Sequence, residues 1–195
     1  MKRILASAAL LFLLVAMSQA APIKYYAHLT GPAESPPNAS PGTGTALVVI
    51  DTVAHTLSVD FNFSGLLGTT TTSHIHCCTA SPGTGAAMVA TQIPLFVGFP
   101  VGVTSGSYSK NFDTYQANTW NNAFIEANGG TPLTAESALA GGLQGGTAYL
   151  NIHTLLFPGG EIRGFLVQTV PEPASLSLAG SALIAFLAGR KRLKR

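Results

Sequence analysis

Residues 148–168 read AYLNIHTLLFPGGEIRGFLVQ, two strand-like runs around a turn. Leu150 and Ile152 alternate with Tyr149, Asn151 and His153, and side chains two apart on a strand share a face. Pro158 and Gly159 stand in the order a type II turn takes them, so the two runs are expected to pair as a β-hairpin. One face of its first strand is apolar, and the other carries a histidine.

The same pattern continues outward. Strands are expected at 23–29, 44–51, 56–66, 72–78, 86–92 and 105–112, besides 148–154 and 161–168. The clearest is LSVDFNF, where Leu57, Val59, Phe61 and Phe63 alternate with Ser58, Asp60 and Asn62; the DTVAHT before it reads as a hairpin turn. Two helical pieces interrupt the series. Trp120, Ala123, Phe124 and Ala127 share one helical face, and TAESALAGGL offers Thr134 as an N-cap and Gly141 as a stop. Short strands, tight turns and few charges predict an all-β fold, an antiparallel β-sandwich or barrel with one or two short helices, over a single domain at 21–170.

The ends of the 195-residue chain read differently. MKRILASAALLFLLVAMSQA (1–20) has cations at Lys2 and Arg3, an apolar run, and small residues Ser18 and Ala20 at cleavage spacing, the pattern of a signal peptide cut between Ala20 and Ala21. As an anchor the run is too short, because a spanning helix needs about 20 apolar residues. The tail 171–195 combines Pro171-Glu172-Pro173, a short apolar segment from Ala174 to Gly189 expected to enter the membrane, and five cations among Arg190–Arg195 that would hold it on the cytoplasmic side. On that motif, helix and basic cluster the tail resembles the PEP-CTERM sorting signal. The resemblance implies export across the inner membrane, an exosortase-type protease as partner, and a cell-envelope or surface destination. The helix anchors the chain transiently if the tail is cut, or permanently if it stays.

With both ends set aside, Lys24, Lys110 and Arg163 face seven acids in 21–170, a net charge of −4. Three cations give no electrostatic footprint for nucleic acid, and that partner class is excluded.

HIHCCTASPGTGAAMV (74–89) and GGTAYLNIHTLLFPGGEIRGFL (145–166) together resemble the CHRD, or chordin-type, domain. The likeness spans about Tyr25 to Val167 and implies an immunoglobulin-like or superoxide-dismutase-like sandwich. This chain departs from it at Cys77-Cys78, where Gly-Pro follows the His-x-His of many members.

Alternation places His74, His76 and Cys78 on one face of their strand and Ile75 and Cys77 on the other, with Ile75 marking the core. His74 and His76 then look outward or into a groove, and they meet His153 if the two strands are neighbours. Three imidazoles, with Cys77 or Cys78 assisting, suit copper or zinc; the competing reading is a row of hydrogen-bonded polar positions. The adjacent cysteines are either a vicinal disulfide, formed where the strand bends into TASPGTG, or a pair of metal-ready thiols. Glu161 and Arg163 are two apart on one face, as an ion pair or shared hydrogen-bond network would place them. No nucleophile elbow, P-loop, Gly-x-Gly-x-x-Gly or His-Glu-x-x-His is present, so no catalytic residue is assigned.

The leading expectation is a non-enzymatic, exported structural or interaction module without a cofactor, associated with extracellular polysaccharide or a surface protein. The Pro/Gly-rich loops 31–44 and 93–106 are its candidate surfaces, the second with Phe96, Phe99 and Val101 either exposed or folded back over the sheet edge. The alternative is a periplasmic or surface copper- or zinc-binding protein.

Overall fold

A computed structural model describes residues 22–168. The signal peptide with its Ala20–Ala21 cleavage site, and the tail with Pro171, Glu172, Pro173 and the expected membrane segment, lie outside the described residues. Among the described residues no helix is long and apolar enough to cross a membrane.

Eight strands pair antiparallel into a curled sheet, as the all-β expectation required. In chain order they are β1 (Ile23–Thr30), β2 (Thr43–Asp51), β3 (Thr56–Ser64), β4 (Thr70–His76), β5 (Gly106–Asp113), β6 (Tyr149–Thr154), β7 (Ile162–Phe165) and β8 (Val167–Gln168). The spatial order is β4-β6-β7-β1-β2-β3-β5, with β8 also on β1. Both expected hairpins form: Asp51 pairs with Thr56 across the β2–β3 turn, and Ile152 pairs with Ile162 across the β6–β7 turn.

Period-two patterning decides what is buried. Tyr25, Ala27 and Leu29 from β1, Ala46, Val48 and Ile50 from β2, and Leu57, Val59, Phe61 and Phe63 from β3 form one core face, while their neighbours in sequence look outward. Strand β6 departs from this pattern, with all six residues buried. Its apolar side faces the core, and loops cover its polar side.

Those loops explain where expectation and structure part. Residues 86–92 do not form a strand; they run along the open edge of β4, where Cys77 donates to Met88 O and Ala90 donates to Ile75 O, with a single bridge between His76 and Val89. Pro94, which has no N–H, follows directly and ends any further ladder. The next loop folds back. Phe96 and Phe99 are buried against Phe61, Tyr108 and Phe63, and only Val101 of the three residues singled out stays exposed. Backbone bonds Phe96 N to Ser73 O and Gly102 N to Thr70 O close the β4 edge, so this loop covers that edge while Ile93, Val97 and Val101 stay exposed on its outer side.

Helix α1 (Asn122–Ala127) and helix α2 (Pro132–Gln144) lie in the β5–β6 connection. Trp120 stacks on Phe124 just as one helical face would bring them, although Trp120 precedes the helix. The cap of α2 is Thr131, with Thr134 the reciprocal partner of a capping box, and the helix runs past Gly141 to Gln144. Gly142 is needed inside it: a Cβ there would meet the sulfurs of both Cys77 and Cys78. Gly145 caps the helix, and Gly146, at φ +66°, turns the chain away.

Candidate functional site

Neighbouring strands β4 and β6 carry the histidines. His74 lies directly opposite Asn151, His76 opposite Tyr149, and Thr72 opposite His153. Alternation on both strands turns His74, His76, Tyr149, Asn151 and His153 to the same side, and the three imidazoles converge. One ring nitrogen from each lies within 4.8 Å of the others. Ring centroids are 5.6 Å apart for His74 and His153, 5.8 Å for His74 and His76, and 6.0 Å for His76 and His153. The rings do not face solvent. Exposure is 6% for His74, 8% for His76 and 9% for His153, because the loops that cover β4 and β6 also roof the cluster.

Each ring is held by one backbone carbonyl. His74 Nε2 lies 2.8 Å from Pro94 O, His76 Nδ1 2.9 Å from Ala87 O, and His153 Nδ1 2.9 Å from Pro158 O. A carbonyl only accepts, so each of these nitrogens carries the proton and the neutral ring keeps its lone pair on the other nitrogen. Those other nitrogens, His74 Nδ1, His76 Nε2 and His153 Nε2, are buried and have no hydrogen-bond partner. Burial lowers the pKa of His74 and of His76 to about 4, and lowers that of His153 as well. The donor set is therefore three neutral imidazoles with fixed tautomers, the arrangement in which second-shell carbonyls orient metal-binding histidines.

A polar layer continues sideways. Asn151 is paired with His74 on one side and Arg163 on the other. The Arg163 guanidinium lies 4.7 Å from the centroid of the Tyr149 ring, which stacks on His76 at 4.8 Å. Its Nε is 3.8 Å from Glu34 Oε2, and it donates to the carbonyls of Ala33 and Gly85. Burial pushes the Glu34 carboxyl up to about 7, with Arg163 pulling the other way. Among the described residues, the buried side-chain nitrogens and oxygens without a partner are the three histidine nitrogens, Asn151 Oδ1 and Glu34 Oε1. All five belong to this layer; the other buried side-chain nitrogens and oxygens of the described residues have partners.

The remaining sequence candidates fall elsewhere. Cys77 and Cys78 are bonded to each other across a cis peptide bond, so the pair is a vicinal disulfide and its sulfurs leave the ligand set. They sit against α2, near Ala138 O. Glu161 and Arg163 do not pair. Glu161 accepts from Ser40 Oγ (2.7 Å), Thr154 Oγ1 (2.6 Å), Leu67 N (2.6 Å) and Gly68 N (3.0 Å), which outweigh burial and hold its carboxyl below the usual range. It ties the 64–70 connection to the last hairpin. His55 lies apart and bonds Glu136 at 3.0 Å. Glu34 and the three anchoring carbonyls were missed from sequence. Glu34 stands in a Pro-rich loop without periodicity, and any residue can supply a carbonyl.

Comparison with known proteins accords with this architecture. The CHRD domain family matches residues 25–166, and the PEP-CTERM protein-sorting motif matches 169–192. No curated protein matches the chain, and no solved structure does. A sorting motif of this kind directs a chain to the cell envelope or surface. With a family match over most of its length, ending in the hairpin that carries His153, the chain belongs to the CHRD domain family and bears a PEP-CTERM sorting signal.

Proposed function

We propose that this is an exported surface protein whose CHRD domain binds one transition-metal ion, copper or zinc, between His74, His76 and His153. One observation carries the reading: three buried, unpartnered imidazole nitrogens within 4.8 Å of one another, each on a ring whose other nitrogen is fixed by a carbonyl. A buried polar atom left unpaired costs about 1–3 kcal/mol, and three such costs at one point call for a shared partner. Metal–nitrogen bonds of about 2.0 Å would draw the rings together by about an ångström. The reading is of binding without turnover, in keeping with a sequence that carries none of the catalytic motifs sought in it. An exosortase-type protease is its processing partner, and a polysaccharide-rich surface its setting.

The test is metal content. Full-length chain purified in detergent, without chelator or histidine tag, is expected to hold close to one equivalent of metal by elemental analysis, and the His74→Ala/His76→Ala variant none. Circular dichroism of the variant establishes that it is folded. An unmetallated wild type that stays empty after loading with copper and with zinc would sink the proposal.

A further inference from the structure

Resting on that metal-binding reading, we infer that the site is built for copper(I), held by the three imidazoles alone, and discriminates against zinc(II). The first reason is charge. Among the described residues, the group of potential ligands at this point contains histidines only, with no carboxylate. Both cysteine sulfurs of the chain are locked in a disulfide, so no thiolate can neutralise the ion. The nearest acid in the layer, Glu34, is already matched by Arg163 at 3.8 Å. That guanidinium is itself fixed over Tyr149, one ring away from His76. An ion entering here meets neutral donors and no unpaired negative charge.

The cost of burying an ion in a low-dielectric cage rises with the square of its charge, and without a counter-ion nothing offsets it. A divalent ion therefore carries about four times the penalty of a monovalent one. The second reason is closure. His74 Nδ1, His76 Nε2 and His153 Nε2 are all shielded from solvent. Zinc held by three histidines completes a tetrahedron with water or hydroxide, which brings in the missing negative charge and needs an open fourth position. Copper(I) is content with three donors and needs neither. Asn151 Oδ1, buried, unpartnered and on the residue opposite His74 in the register, is a neutral oxygen. It adds no charge to favour a dication.

The experiment needs only the wild-type full chain. Under anaerobic conditions the unmetallated protein is titrated with copper(I) against a coloured copper(I) chelator, then challenged with zinc(II) at roughly a hundredfold excess, a handicap that a selective site withstands if it prefers copper by well over 100-fold. The expected result is one equivalent of copper(I) retained, with X-ray absorption reporting three nitrogen neighbours and no fourth. Displacement by zinc, or a four-coordinate spectrum, overturns the copper(I) inference and leaves the metal site standing. If neither ion binds, both fall together.

Discussion

At the scale of single residues, the histidines make stability depend on pH before any metal is considered. His74 and His76 titrate near 4 in the fold, against 6.5 in an unfolded chain, because burial disfavours their charged forms. The unfolded state therefore takes up protons first as pH falls. Stability is intact above about pH 6.5, declines between there and about pH 4, and loses about 3 kcal/mol per ring across that window. Urea midpoints of the metal-free protein at pH 7.5, 5.5 and 4.5 check this, and a midpoint that does not fall from 7.5 to 4.5 would contradict it. Side-chain direction was legible here: period two put His74 and His76 on one face of their strand and His153 on the polar face of its own, to meet if the two strands were neighbours. The hydrogen bonds that choose which nitrogen is free were not legible, because Pro94, Ala87 and Pro158 contribute backbone atoms with no sequence signature.

At the scale of elements, helix α2 and the end of β4 are fitted to each other through Gly142. Replacing Gly142 with alanine puts a methyl group where the Cys77 and Cys78 sulfurs lie, and an overpacked buried contact costs about 1–3 kcal/mol. A lowered thermal midpoint is expected, despite alanine being the better helix former. The double substitution Cys77→Ser/Cys78→Ser tests the ligand set separately: metal stoichiometry should be unchanged, and its loss would return the sulfurs to the site. Strand patterning from 23 to 64 was readable because one face of each strand meets the core and the other meets water. The 86–92 segment misled because its apolar residues cover an edge rather than join a ladder. Thr134 misled because both it and Thr131 satisfy the rules for a cap.

At the scale of the whole molecule, the Pro/Gly-rich loops send anchoring side chains into the interior. Phe96, fully buried among Phe61, Tyr108 and Phe112, pins the loop that supplies Pro94 O to His74. Truncation to alanine is expected to cost about 3–5 kcal/mol in denaturant unfolding, and to weaken metal affinity under conditions where the variant is still folded. Affinity equal to wild type would show that the roof does not position the ring. Composition announced an exported β domain, but which face of β6 would be covered depended on loops that carry no period.

The three carbonyls that aim the imidazoles come from residues 87, 94 and 158, and the rings themselves from 74, 76 and 153. The stretch 74–94 holds two of the rings with their carbonyls, and the third pair arrives only with the last hairpin. In an unfolded chain the three-histidine set is incomplete, since it comes into being only when the last hairpin closes. For the metal site as proposed, acquisition would then follow translocation and folding, and its occupancy would record the ions available outside the cytoplasm rather than those in the compartment where the chain was made.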